Sequence, residues 1–521
     1  MEKREKKRVV VVAGAGPAGL TAALELLRKG DSIPIVLEAD DVVGGLSRTV
    51  NNGGNRMDIG GHRFFSRNSA IMQWWLDIMP IQDSPSKDEI LAGAERVYDA
   101  TCNPEVCDNV MLRRRRVSRI FFLRRFFDYP ISLRLSTIVN LGLWRTFKVV
   151  TGFLVARFTK RDVRNLEDFY ISRFGKPLYR LFFEGYTEKV WGKHPSQLDA
   201  DWGSQRVKGL SLLSLLRNAF SIKSNDISQR GVETSLINSF LYPKYGPGQL
   251  WERVADTIRR EGGVVSTGSR VERVNVNGGR VVSVEYMTAE GSVVSVECDW
   301  FLSSMPLKEL LSAISGIPVD NEILRIAAGL PYRDFITVGI LLNGMKVKNN
   351  TAFNSYASRL PDTWIYLQER DIVAGRMQIF NNWSPYMVAD YENSIYIGLE
   401  YFCSEGDALW SKSDKELETL ALDELVNLGL ADHEDMLSAN VVRMKKAYPA
   451  YFGSYNELPK VRLFLNGIEN LLCIGRNGQH RYNNMDHSMM SAMKAVDVIY
   501  GADDKESLWN VNSDVEYNEE K

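Results

Sequence analysis

The stretch Val9-Val10-Val11-Val12-Ala13-Gly14-Ala15-Gly16-Pro17-Ala18-Gly19-Leu20 decides the fold. Its β-branched run reads as a short buried strand, turning through G-x-G-x-x-G into an apolar helix expected from Leu20 to Leu27. Gly14 permits the tight turn, Gly16 lets backbone amides approach a pyrophosphate, and Gly19 lets the helix pack close to the strand. The helix N-terminus then offers unpaired N–H groups and a positive dipole end to phosphates. A second strand, Ile33 to Leu37, ends at Glu38, where an acid accepts hydrogen bonds from ribose hydroxyls. Strand, helix, strand and acid in register predict a dinucleotide site.

The residues that follow select a flavin. Val43-Gly44-Gly45-Leu46-Ser47-Arg48 and Met57-Asp58-Ile59-Gly60-Gly61-His62-Arg63-Phe64-Phe65 resemble the extended signature of the FAD-binding amine oxidase and glutathione-reductase-like superfamily. The resemblance implies FAD contacts at Gly14, Gly16, Gly19, Glu38, Gly45, Leu46, Gly60 and Gly61. Downstream, Val264 to Val271 resembles the strand whose backbone meets the adenine, at about Val271, and Asp299 to Pro306 resembles the segment leading out of the FAD domain. Leu471 to Arg476 reads as a final buried strand. It opens through Asn483, Asn484, Met485 and Asp486 into a helix expected from His487 to Tyr500, so that Gly475, Asn484, Met485, Asp486 and Ser488 complete the cofactor set. Asp486 reads as that helix's cap.

The 521 residues suffice for two or three domains, with 45% apolar residues and a net charge of −1. That balance argues against nucleic acid as the main partner. Cys102, Cys107, Cys298, Cys403 and Cys473 lack a metal spacing and read as reduced thiols of a cytoplasmic protein, with no metal site. The basic N-terminus runs straight into the first strand, so no cleavable signal peptide is expected. The tail after Gly501 is polar and acidic, expected to fray. From about 110 to 161 the chain is strongly basic and interleaved with Phe121, Phe122, Phe126 and Phe127. The plain reading is a solvated hairpin followed by helices; the alternatives are peripheral contact with an anionic membrane or lipid-linked substrate, or attraction of a diphosphate.

The expected class is α/β: a discontinuous Rossmann-type FAD-binding domain with a mixed-sheet substrate domain and a helical cap. Residues 1–80, 235–310 and 465–505 build the FAD domain. Residues 81–234 carry the basic hairpin and helical cap, with helices at 166–174, 178–190 and 209–220. Residues 311–464 form the mixed sheet, with strands at 335–342, 363–368, 377–380, 394–402 and 440–447 and a helix at 414–428. Residues 506–521 are a flexible tail.

Arginines recur beside tyrosines in the insertions: Tyr366 with Arg376, Arg443 with Tyr448, Arg476 with Tyr482. Guanidinium forks and phenols suit a phosphate. With these residues the chain resembles the UDP-galactopyranose mutase family, through Gly60 to Ser66, Phe127 to Pro130, Glu184 to Trp191, Trp202 to Val207, the Tyr366–Arg376 spacing followed by Phe380 to Tyr386, Tyr448-Pro449, and Gly475 to Ser488. The resemblance implies a pyranose–furanose isomerisation of a nucleotide sugar through a reduced-flavin N5–sugar adduct, with no net redox change, as in cell-surface polysaccharide biosynthesis. Arg376 and Arg476 would hold the leaving diphosphate, helped by Tyr366, Tyr448 and Tyr482. Arg206 would orient the substrate, Tyr129 would line the pocket, and His62 would tune the flavin. A reductant such as NAD(P)H would be needed. Ile131-Ser132 and Thr187 depart from the family pattern, which leaves the nucleobase and sugar open, as are the oligomeric state and net redox outcome. The alternative is an FAD-dependent oxidoreductase of the amine oxidase or protoporphyrinogen oxidase type. Convergence of Arg206, Arg376 and Arg476 on one cavity is the discriminating feature.

Overall fold

The computed structural model describes residues 7–93, 102–129, 131, 135–159, 161–200 and 239–511. The valine-rich stretch forms strand Arg8–Ala13, the centre of a five-stranded parallel sheet. Its neighbours are Ser32–Leu37 on one side and Trp300–Ser303 on the other, with Val264–Ser266 and Leu471–Cys473 at the edges. Parallel strands are covered on both faces, which is why these segments read as continuous apolar runs rather than alternating ones. Helix Pro17–Lys29 starts three residues earlier than the apolar pattern suggested, because Pro17 suits the first turn. It packs against helices Pro247–Arg260 and Met485–Ile499. Strands from four distant parts of the sequence thus meet in one sheet.

Val264 to Val271 is not one strand. The chain turns at Gly268 (φ +61°), so Val264–Ser266 closes the parallel sheet and Val271 lies in strand Arg270–Asn277 of a separate four-stranded sheet.

The second layer is a seven-stranded mixed sheet in the order Met436–Pro449, Tyr332–Leu342, Ile395–Cys403, Arg376–Ile379, Trp364–Leu367, Ser118–Phe122, Arg125–Asp128. All pairings are antiparallel except Trp364–Leu367 with Ser118–Phe122. The basic hairpin is therefore not a solvated appendage but two strands of this sheet. Two arginines of this basic section are buried against carboxylates: Arg119, in the hairpin, on Asp362 at 2.6 Å, and Arg114, in the preceding strand Met111–Arg115 that pairs with Ser239–Pro243, on Asp88 at 2.6 Å. A carboxylate partner and further hydrogen bonds make such burial tolerable.

The helical layer contains Leu166–Phe174, Lys176–Phe182 and Glu184–Trp191. The single helix expected over 178–190 is broken at Phe183, whose ring stacks on Tyr170 and Phe174 at 4.7 and 5.0 Å. The segment 209–220 lies outside the described residues. The tail departs from expectation up to Val511: helix Lys505–Trp509 buries Leu508 and Trp509 in the main core.

Candidate active site

The glycine loop is built to meet another backbone. Gly14 sits at φ +102°, and a Cβ there would fall 2.1 Å from Ser304 Oγ; a Cβ on Gly19 would fall 1.9 Å from the Gly14 carbonyl oxygen. The Gly44 amide donates to the Ala15 carbonyl at 2.8 Å, laying the second glycine pair across the first. At Gly16, by contrast, a Cβ would meet nothing nearer than Gly45 Cα at 3.9 Å. That open groove lies at the start of a 13-residue helix whose N-cap is glycine and supplies no side-chain acceptor. Its first-turn N–H groups and dipole suit a pyrophosphate, so these residues fit FAD. Glu38 holds the loop in place: its carboxylate accepts from Ala15 N at 2.6 Å and Asp40 N at 3.0 Å, while burial raises its pKa above the usual carboxyl range.

The closing motif faces the same groove. Gly475 (φ +73°) would clash with Ala18 Cβ at 2.9 Å if it carried a side chain, and its amide donates to Ser491 Oγ at 2.8 Å. Asn484, not Asp486, caps helix Met485–Ile499, in a capping box completed by His487. Asp486 in the first turn instead accepts from Ser66 Oγ at 2.9 Å, tying the helix to the segment after His62. Met485 and Ser488 are buried at this junction. Of the second glycine pair, Gly61 makes room for an indole: a Cβ there would stand 2.0 Å from the Trp364 ring. Gly60 holds φ +77°, and Leu46 packs against the helical cluster around Phe127 and Tyr170. Val271 sits in the four-stranded sheet, paired with Tyr286.

His62 is neutral. Burial first, and the neighbouring Arg476 charge second, lower its pKa to about 4. Its Nδ1 lies 2.9 Å from the Gly60 carbonyl. A carbonyl only accepts, so the proton belongs on Nδ1 and Nε2 keeps its lone pair.

Two of the three expected arginines come together. Arg376 donates through Nε to Tyr186 Oη at 2.8 Å and through Nη1 to Glu400 (3.2 Å) and Tyr448 Oη (3.3 Å). Arg476 donates through Nε to the Asn483 carbonyl and through Nη1 to the Ala447 carbonyl, both at 2.8 Å. Its guanidinium lies 4.8 Å from the Tyr482 ring, which stacks on Tyr448 at 5.5 Å. Tyr448 thus separates the two cations, and Nη2 of each makes no hydrogen bond among the described residues. Tyr129 and Tyr366 face each other at 4.7 Å, with Tyr186 edge-on to Tyr366 at 5.7 Å. Arg206 lies outside the described residues. Arg443 turns outward, to Asp414.

Several contributors were not legible as such. Glu400, fully buried, compensates Arg376, and Gln378 donates to it at 2.8 Å. Tyr186 gives Arg376 a phenol from the helical layer. Lys189, in the same helix, donates to the carbonyls of Leu367, Glu369 and Ala374, closing the loop between the Tyr366 and Arg376 strands. Arg63 has no carboxylate partner among the described residues. It donates to Ser118 Oγ at 3.0 Å, and its guanidinium lies 5.6 Å from each of Phe240, Trp364 and Trp383. Burial, reinforced by Arg116, lowers its pKa to about 9. No local signal distinguishes these residues, because each is defined by a partner more than twenty residues away.

The flavin containing amine oxidoreductase family matches residues 17–497. A 15-cis-phytoene desaturase, chloroplastic/chromoplastic, from an Oncidium hybrid cultivar is 24% identical over 350 residues, 61% of this chain and 53% of the relative. The match thus spans about half the length of that curated relative. Among solved structures, a reduced UDP-galactopyranose mutase superposes with a TM-score of 0.74 at 22% identity, covering 97% of this chain and 99% of the other. A provisionally named protoporphyrinogen oxidase from an Exiguobacterium species gives 0.66 at 14%, covering 94% and 98%. Putrescine oxidase bound to putrescine gives 0.57 at 15%, covering 95% and 99%. Identities this low speak for a shared fold. The family match covers most of the chain and the glycine cradle fits the cofactor: the protein belongs to the flavin containing amine oxidoreductase family and uses FAD.

Proposed function

We propose that this flavoenzyme acts on a nucleotide-activated sugar, as a mutase interconverting pyranose and furanose rings. The observation that carries the reading is the meeting of Arg376 and Arg476 across Tyr448, each with an unspent Nη2, beside His62 and the closing glycine motif. FAD, reduced, would supply an electron-rich centre next to the sugar. The chain's own residues bind and orient. The two guanidinium groups hold a departing diphosphate near the anomeric carbon, where it can return, and avoided diffusion lowers the barrier to recapture. Tyr448 and Tyr482 offer neutral donors to the same oxygens. His62, neutral at Nε2, accepts a proton or hydrogen bond without adding charge. The likeness in fold to UDP-galactopyranose mutase supports this assignment.

A second reading, an FAD-dependent oxidoreductase of the amine oxidase or protoporphyrinogen oxidase type, is favoured by a different observation. Glu400 already neutralises Arg376, and Trp364 and Phe402 lie 5.2 and 4.7 Å from its guanidinium, a wall suited to an apolar substrate. One experiment separates the two. Dithionite-reduced protein is incubated with a panel of nucleoside-diphosphate hexoses and the products are read by NMR. Furanose product supports the mutase. Failure to form it, together with reduction of the oxidised flavin by an amine or a tetrapyrrole precursor, refutes it.

A further inference from the structure

Helix Leu143–Phe158 turns an apolar face outward. Leu143, Phe147, Val150, Leu154 and Phe158 recur at spacings of three and four residues along one side, and 41–86% of each is exposed. The opposite side, with Val149 buried, packs on the helical layer, where a Cβ on Gly152 would strike Pro177 at 2.4 Å. This is an inverted helix: its long hydrophobic stripe faces water, while its protein contact is made through Val149 and the close approach at Gly152. Soluble monomers seldom expose a contiguous apolar surface of this kind without a partner for it.

The surrounding charge says what the partner is. No acid occurs between Tyr129 and Arg161, and the helix carries Arg145, Lys148 and Arg157. Lys148 lies 4.9 Å from the ring of exposed Trp144, which stacks on Phe147 at 6.0 Å. None of the three cations has a carboxylate partner among the described residues; Arg145 reaches only the Leu141 carbonyl. An aromatic and aliphatic stripe flanked by Arg157 on one side and Lys148 on the other, on a helix without an acid, matches the headgroup boundary of an anionic bilayer. A second copy docking the same face would bring like charges together.

We propose that this helix, with Leu135–Leu141 before it, lies flat in the headgroup layer of an anionic membrane and holds the enzyme there. It does not span. Sixteen residues rise only about 24 Å, less than the roughly 30 Å hydrocarbon core, the two helices meet at a bend of 111°, and no single described helix is long and apolar enough to cross. The same helical layer carries Tyr186, the phenol on Arg376, so the docked face is joined to the site wall through packed helices. The inference does not depend on which substrate the site takes.

The test is vesicle flotation of the full-length FAD-loaded protein, with phosphatidylcholine vesicles and with phosphatidylcholine–phosphatidylserine vesicles. Wild type floats with the anionic vesicles. Phe147→Glu with Leu154→Glu abolishes flotation, and Lys148→Glu with Arg157→Glu lowers the bound fraction about tenfold or more, both with an unchanged flavin spectrum as the check on folding. Wild type that remains at the bottom with either vesicle overturns the proposal. So does equal flotation of the Phe147→Glu, Leu154→Glu variant. A wild-type dimer that this variant converts to a monomer by light scattering, with no vesicle binding, also overturns it by identifying the face as a self-association surface.

Discussion

Replacing Glu400 by glutamine isolates the anion-binding claim from the rest of the fold. Glu400 is fully buried, its Oε2 lies 3.2 Å from Arg376 Nη1, and the amide of Gln378 donates to its other oxygen. At an effective dielectric of about 20, unit charges at that separation attract by about 5 kcal/mol, and breaking a buried pair by removing one partner costs roughly 3–5 kcal/mol. Glutamine keeps the shape and one acceptor, so urea denaturation should show a loss toward the lower end of that range. The diagnostic effect is on binding. With its carboxylate gone, the Arg376 guanidinium retains an uncompensated charge beside an unspent Nη2, and a bound diphosphate should replace the lost anion. Calorimetric titration with UDP should then give a Kd at least about tenfold tighter than wild type, equivalent to about 1.4 kcal/mol, and UDP should restore part of the lost stability. A folded, flavin-loaded Glu400→Gln protein that binds UDP no better than wild type would refute the reasoning. It would place the free edge of Arg376 away from the ligand.

Other expectations follow from single groups. Gly16→Ala should leave the apoprotein's stability within about 0.5 kcal/mol of wild type, since its Cβ enters open space, yet reduce bound FAD, read from the ratio of flavin to protein absorbance. Gly19→Ala should lose both, because its Cβ meets the Gly14 carbonyl oxygen; normal FAD content in either variant would contradict the cradle. His480 is fully buried, beside the Ala450 carbonyl at 3.2 Å, and burial lowers its pKa to about 4. The unfolded chain therefore takes up a proton first as pH falls below 6.5. This group's contribution is complete above 6.5 and lost toward 4, a change of about 3 kcal/mol. Urea midpoints at about pH 7 and about pH 4.5 should fall further for wild type than for His480→Gln; equal declines would exclude it.

The first strand, its glycine turn and the second strand were legible because their information is local: β-branched residues, a turn that excludes side chains, and an acid at the strand end lie within thirty residues. Most strands and helices of the mixed sheet were visible for the same reason, through their periodicity. Errors arose where tertiary packing overrode a local pattern. The basic section reads as solvated until Asp362 and Asp88 arrive from elsewhere to bury Arg119 of the hairpin and Arg114 of the strand before it. The helix over 178–190 reads as continuous until Phe183 stacks on Tyr170 and Phe174.

The sequence by itself determined the cofactor and the class of fold, since a phosphate-binding turn is specified by the steric demands of its own backbone. It also supplied the identities of Arg376 and Arg476. Only the tertiary structure decided that these two share Tyr448, that Glu400 compensates one of them, and that helix Leu143–Phe158 turns its apolar stripe toward solvent. Those properties belong to pairs of surfaces. A side chain's charge balance and exposure are set by what packs beside it, and no spacing within one segment encodes a neighbour folded in from far along the chain.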